Sequence, residues 1–297
     1  MKVLITGSNG QLGRALQACA QTEAIITGVE RAITAVDLAE LDISDGEATD
    51  AFIRSAAPDL IINAAAYTAV DRAEQDIEAA FAANHLGPKN LARIAALMGT
   101  RLVHVSTDFV FDGQAATPYA PDHPFAPLGV YGQSKADGEV AVLSQMPSAL
   151  IVRTAWVYAA QGNNFMRTML RLMSERPEVR VVADQMGTPT HADSLARALW
   201  RLVEVGAQGV HHFTDAGTAS WYDFAVAIQE EALEIGLLER PVPIIPIRTQ
   251  DYPTPARRPA YGVLDKTATY SALGAPAAHW REELRDALIQ FGNLKHG

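Results

Sequence analysis

Short apolar runs alternate with stretches of helical periodicity through the first half of the chain. The runs at residues 2–6, 24–30, 60–65, 101–106 and 150–154 predict strands, with helices between them. That alternation predicts an α/β fold built on a Rossmann-type, doubly wound parallel sheet. The second half changes texture: helical stretches at 165–175, 194–205 and 220–232 lead into a proline-rich passage at 241–259. We expect one domain over residues 1–158 and a smaller C-terminal α/β domain mainly over 159–297, with the chain free to cross back to the first. Ser220-Trp221-Tyr222-Asp223 reads as a capping box opening a helix, which makes Trp221 a core residue.

The first apolar run leads directly into Gly7-Ser8-Asn9-Gly10-Gln11-Leu12-Gly13. Glycines at this strand-to-helix junction let backbone N–H groups approach a pyrophosphate, whose charge the helix N-terminus stabilises, so the first domain is read as NAD(P)-binding. The spacing is G-x-x-G-x-x-G, a variant of the older dinucleotide fingerprint. Glu30 and Arg31 follow at the distance expected of an adenosine-ribose reader, and they point in opposite directions. The carboxylate suits the ribose hydroxyls of NADH and the guanidinium the 2′-phosphate of NADPH, leaving both cofactors open. Asp42 and Ile43 are candidates for the adenine, with Asp37 a competing acid. Ala65, Ala66 and Tyr67 follow a buried strand with small residues that let a cofactor lie close.

Tyr131 and Lys135 carry the chemistry. Four-residue spacing puts phenol and ammonium on one helix face, where the cation is expected to lower the phenol's pKa toward the working pH for proton transfer. Upstream, Leu102-Val103-His104-Val105-Ser106-Thr107-Asp108 is an apolar strand ending in hydroxyls, where an open parallel sheet presents groups to a ligand. Hydroxyl and phenol meeting over one carbonyl imply hydride transfer. Prolines at 118, 121, 124 and 127 make the approach to Tyr131 a rigid, non-helical loop. Asn84 reads equally as part of a proton relay to Lys135 or as a satisfied core amide, and His104 as structural.

Composition narrows the class. A chain of 297 residues that is 48% hydrophobic buries a large core, and a net charge of −10 argues against a nucleic-acid partner. The single cysteine, Cys19, excludes an internal disulfide or a cysteine metal cluster. No run has the ~18 apolar residues of a membrane span, and the N-terminus lacks a signal-peptide core, so we expect a cytoplasmic location. No histidine pair has metal-ligand spacing, and no catalytic metal is expected.

These residues resemble the extended short-chain dehydrogenase/reductases, and among them the dTDP-4-dehydrorhamnose reductase family. Besides the glycines and Tyr131 to Lys135, the matching runs include Asn63-Ala64-Ala65-Ala66-Tyr67-Thr68, Ser106-Thr107-Asp108-Phe109-Val110-Phe111, Arg153-Thr154-Ala155-Trp156-Val157-Tyr158, Gly162-Asn163-Asn164-Phe165, and Tyr252 through Pro259. The resemblance implies NADPH- or NADH-dependent reduction of a dTDP-linked 4-keto-6-deoxy sugar at C4. It makes Tyr131 the proton donor, Lys135 its partner on the nicotinamide ribose, and Thr107 the hydroxyl on the keto oxygen. Trp156 would pack on the sugar nucleotide, with Asp108, Asn163 and Arg258 nearby. Phe109 stands where the family often has tyrosine. The resemblance allows a homodimer, but Ala15 occupies the place of a metal-bridging glutamate and disfavours the metal-linked form. Two alternatives remain: a reductase of another nucleotide-linked 4-keto-6-deoxy sugar, and a non-catalytic regulatory subunit of a methionine adenosyltransferase.

Overall fold

The computed structural model describes residues 1–27 and 30–296. The elements of the first half are β1 (Lys2–Thr6), α1 (Gln11–Thr27), β2 (Ala32–Val36), α2 (Gly46–Ala56), β3 (Leu60–Asn63), α3 (Val70–Ala73), α4 (Ile77–Phe81), a π-helical turn (Ala82–Leu86), α5 (Gly87–Met98), β4 (Arg101–Thr107), α6 (Val130–Gln145) and β5 (Leu150–Thr154). There follow β6 (Val157–Tyr158), α7 (Phe165–Glu175), β7 (Val179–Val182), β8 (Met186–Gly187), β9 (Thr190–His191), α8 (Ala192–Glu204), β10 (Gly209–His212), β11 (Ala219–Ser220), α9 (Trp221–Glu234), β12 (Ile244–Ile247), α10 (Thr267–Leu273) and α11 (Trp280–His296).

Six parallel strands form the main sheet in the order β10-β5-β4-β3-β1-β2. Both faces are covered, which is why its strands read as near-continuous apolar runs. Val3, Ile5, Leu60, Ile62, Val103 and Val152 point to one side, against Leu16 of α1 and Leu195, Leu199 and Trp200 of α8. The alternate residues Leu4, Ile61, Leu102 and Ile151 meet Ile53, Leu91, Ile94 and Val142 of α2, α5 and α6. The chain returns to this sheet late, through α8 and β10. A separate core joins α7, α9 and α11 through Met166, Leu170, Met173, Phe224, Ile228, Leu284 and Leu288. Ser220 and Asp223 close the capping box of α9. Among the described residues, no helix is long and apolar enough to cross a membrane.

The second strand departs from expectation. Residues 24–27 are the end of α1, and the strand is Ala32–Val36, paired with β1 from Lys2↔Ala32 onward; residues 28 and 29 of the expected run lie outside the described residues. A short apolar run such as Ala24-Ile25-Ile26 does not by itself distinguish helix from strand. Glu30 and Arg31 consequently precede β2 instead of following it, at the opposite end of the sheet from the glycine loop.

Candidate active site

In a doubly wound sheet, ligands bind beyond the carboxyl ends of the strands where the strand order reverses. Here β1 and β3 flank that point, and the glycine loop sits on it. Gly7 has φ +68°, and a Cβ there would lie 2.6 Å from the backbone of Ala65. The close contact presses the loop against the end of β3, while Gly10 N donates to Gly7 O at 3.1 Å and Ser8 N to Val36 O at 3.1 Å. Thr6 Oγ1 donates to Asn63 Oδ1 at 2.7 Å, and that oxygen also accepts from Ala65 N at 3.1 Å, tying β1, β3 and the alanines together. These residues form a backbone-lined cradle at the N-terminus of α1, which fits a dinucleotide pyrophosphate.

The acid at the end of β2 is Asp37. Its Oδ2 accepts from Asn9 N of the glycine loop at 2.8 Å and its Oδ1 from Leu38 N at 2.8 Å. The expected readers lie elsewhere: Glu30 O accepts from the Met1 terminus, and the Arg31 guanidinium stacks on Trp200 at 4.6 Å, pairs with Glu204 and donates to Ala20 O. The sequence did contain the signal for Asp37, an acid directly after an Ala-Ile-Thr-Ala-Val run, but misplacing the strand hid it. Asp42 and Ile43 lie in the β2–α2 connection. Asp42 accepts from Ser44 N and Oγ, while Ile43 is buried against Gly87. Tyr67 is half-buried, its N bonded to Asn84 Oδ1 and its hydroxyl to Asp76.

Thr107 ends β4, and Tyr131 lies in the first turn of α6. Gly132 lets the two approach, since a Cβ there would fall 2.2 Å from Phe109 O. Tyr131 packs edge-on against Phe109, with ring centroids 5.4 Å apart, and its hydroxyl lies near that of Thr107. Thr107 Oγ1 also donates to Asp108 Oδ1 at 3.0 Å and accepts from Phe109 N at 3.2 Å. Burial pushes Tyr131 up to about 12, against the lowering influence of the Thr107 hydroxyl and with Asp108 adding to the rise. Lys135 is buried, with its Nζ on Val105 O at 2.6 Å, and burial brings it down to about 8 against the opposing charge of Glu139. The expected lowering of Tyr131 by Lys135 is therefore not observed: desolvation dominates, and the ammonium is held by a backbone carbonyl. Asp108 is 2% exposed, has one oxygen without a partner, and is raised to about 7 by burial.

Asn84 occupies the π-helical turn and is satisfied by Tyr67 N, Tyr67 O and Ser134 Oγ, the core-amide arrangement, with no bond to Lys135. His104 is buried and bonded to Asn63. Burial, aided by the nearby Lys135 charge, holds its pKa well below the usual histidine range.

Trp156 follows β5 in the left-handed region, φ +48°, and its indole stacks on Trp221 at 3.5 Å with planes 8° apart. Trp221 is thus half-buried and faces a cleft of about 890 Å³ that Phe165, Arg180, Gln185, Tyr252 and Arg258 also line. Trp221 does pack against the core of α7, α9 and α11, as its capping-box position predicts, but a residue just inside a capping box gives no sign of the second surface it meets. Arg258 makes a two-pronged pair with Asp71 (3.0 and 2.8 Å) and donates to Thr254 Oγ1 at 2.6 Å, joining the cleft wall to α3. Asn163 is exposed. Its neighbour Asn164 caps α7 and donates to Gln11 Oε1 at 2.8 Å, tying α7 to the glycine loop.

A doubly wound sheet, a glycine cradle at its switch point, and a Thr–Tyr–Lys group at the next strand end define the class of short-chain dehydrogenase/reductases. Residues 1–292 match the family model described as the RmlD substrate binding domain, and the chain belongs to that family. It is 41% identical over 292 residues to a dTDP-4-dehydrorhamnose reductase of Aggregatibacter actinomycetemcomitans, covering 96% of this chain and 97% of that one. It is also 41% identical over 307 residues to a probable dTDP-4,6-dihydroxy-2-methyloxan-3-one 4-ketoreductase of Streptomyces antibioticus, with 100% and 97% covered. Among solved structures, a dTDP-4-dehydrorhamnose reductase of Bacillus anthracis in complex with NADP superposes with TM-score 0.90 at 36% identity, covering 97% of this chain and 99% of that one.

Proposed function

We propose that this chain is an NADPH- or NADH-dependent oxidoreductase that reduces the C4 keto group of dTDP-4-dehydro-6-deoxy-L-mannose to give dTDP-L-rhamnose. The convergence of Thr107, Tyr131 and Lys135 beside the glycine cradle carries this reading, in a chain whose full-length relatives are named for that reduction. Residues 1–158 are assigned mainly to the cofactor and residues 159–297 mainly to the sugar nucleotide, with β10 completing the first sheet.

The cradle of Gly7, Gly10, Gln11, Leu12 and Gly13 would hold the pyrophosphate, Asp37 the adenosine ribose, and Ala65, Ala66 and Tyr67 the face of the bound cofactor. A reduced nicotinamide, when bound, supplies the hydride. Tyr131 is protonated throughout the neutral range because burial holds its pKa high, so it is ready to give a proton to the C4 oxygen. Thr107 can turn its hydroxyl from Asp108 to the same oxygen, and a preorganised donor on developing charge is worth ~3 kcal/mol. Lys135, four residues along the same face of α6, is assigned with Tyr131 to proton delivery and to the nicotinamide ribose hydroxyls. Trp156, Asp108 and Arg258 are assigned to the sugar-nucleotide side, with Asn163 at its rim.

The test mixes purified protein with dTDP-4-dehydrorhamnose and NADPH or NADH, following loss of reduced-nicotinamide absorbance and identifying the product by NMR. Sugar-dependent oxidation yielding dTDP-L-rhamnose is expected. Cofactor binding without turnover of this sugar would refute the assignment. A second substrate, the dTDP-linked 4-keto sugar of the Streptomyces antibioticus relative, is favoured by that protein's equal identity, and its faster turnover would select that reading.

A further inference from the structure

Arg153 of β5 and Glu139 of α6 form an ion pair with side chains 3% and 0% exposed. Arg153 Nε lies 2.9 and 3.1 Å from the two carboxylate oxygens, and Nη2 lies 2.8 Å from Oε2. The remaining nitrogen donates to Pro121 O at 2.9 Å and lies 3.2 Å from His212 Nε2. Phe111 and Phe125 each place a ring 5.1 Å from the guanidinium carbon. Arg153 thereby touches the proline-rich loop before Tyr131, the segment after Thr107, and the helix that bears Tyr131. Burying two charges costs several kcal/mol per ion before their attraction is counted, and apolar replacements are often no less stable. Stability alone is a poor account of this pair.

Its position suggests another. Tyr131, Lys135 and Glu139 follow one another at four-residue intervals along one face of α6. Of the titratable and charged groups near Lys135, Tyr131 and Glu139 lie one turn away on its own helix and His104 lies on β4, with Arg153 of β5 bound to Glu139 and His212 of β10 beside Arg153. Burial keeps both histidines neutral, His212 down to about 3 with Arg153 adding to the effect. We propose that Glu139 is a positioning residue that keeps Lys135 protonated during the reaction, and that Arg153 fixes its carboxylate in place. This rests on the reading of Tyr131 and Lys135 as the proton-delivery pair. Burial draws Lys135 down while the charge of Glu139 acts the other way. Removing that charge lowers the lysine's midpoint, so its cation is lost at lower pH.

The experiment reads Lys135 directly. The chain has five lysines, so protein labelled with ε-13C-lysine gives few signals, and Lys135→Met assigns the one needed. Titrations are compared for wild type, Glu139→Gln and Glu139→Gln/Arg153→Met, beside pH profiles of kcat/KM. In Glu139→Gln the Lys135 midpoint should fall by about one pH unit, a tenfold change in protonation, and the alkaline limb of kcat/KM should fall with it. The double variant leaves no uncompensated buried guanidinium and should shift in the same direction by less. It decides the matter if Glu139→Gln fails to fold. An unmoved Lys135 midpoint in the folded variants, or an equal loss of activity at every pH, would overturn the proposal. A moved midpoint with an unmoved activity profile would instead overturn the proton-delivery reading of Lys135.

Discussion

Replacing Asp108 by asparagine should make the protein's stability less sensitive to pH. Burial raises this carboxyl from 3.8 to about 7. The folded state therefore binds a proton more tightly than the unfolded chain. The resulting stabilisation is fully present below the ordinary carboxylate value and is lost as pH rises through about 7. The difference corresponds to ~4 kcal/mol, the ceiling on what ionising Asp108 costs the native state. Asparagine keeps an oxygen for the Thr107 hydroxyl but cannot ionise. Its amide nitrogen would sit where the unpartnered Oδ2 faces Gly262, a fixed cost at every pH. In a chain of this size ~1 kcal/mol moves Tm by about 2 °C. Thermal unfolding followed from about pH 5 to about pH 8.5 should show the Tm of Asp108→Asn gaining on wild type by about 4 °C or more. Parallel curves over that range would refute the buried-acid account of Asp108. Asp215, also raised to about 7 by burial, gives wild type and variant the same background slope.

Other consequences follow from the site. Asp37→Ala should weaken NADH about tenfold and NADPH less, because the carboxylate suits ribose hydroxyls and repels a 2′-phosphate; equal losses by fluorescence titration would remove Asp37 from the ribose site. Arg31→Ala should lower Tm through loss of its Glu204 pair and Trp200 contact while leaving the NADPH-to-NADH affinity ratio unchanged, and a changed ratio would return Arg31 to the cofactor site. Thr107→Val should lower kcat by about 10²-fold as the donor to the keto oxygen is lost, and an unchanged kcat would show that Tyr131 acts without it. Gly132→Ala, whose Cβ would meet Phe109 O, should push α6 away from Thr107 and cut kcat with cofactor affinity retained.

Four of the six sheet strands (β1, β3, β4 and β5), α7 and α9, and the glycine loop were legible because each rests on local spacing. A buried parallel strand is a continuous apolar run, a capping box is four residues long, and Tyr131 and Lys135 share a face by helical period alone. What was not legible depended on long-range partners. Arg31 beside Glu30 looks like a ribose reader until Trp200 and Glu204 arrive from α8 to bury it. The helical spacing predicts that Lys135 depresses Tyr131, but burial of both groups dominates, raising the phenol and lowering the ammonium. Trp221 gave no sign of the cleft because its stacking partner Trp156 comes from a distant segment, just after β5. Arg258 meets Asp71 across 187 positions, a pairing that no pattern within either segment reveals.

The central claim, that Tyr131 delivers the proton in a nicotinamide-dependent ketone reduction, is tested most directly by single-turnover oxidation of the preferred reduced cofactor with dTDP-4-dehydrorhamnose in wild type and Tyr131→Phe. The account predicts a fall of about 10²-fold or more in the rate, with cofactor affinity unchanged by fluorescence titration. A near-wild-type rate in Tyr131→Phe would contradict it.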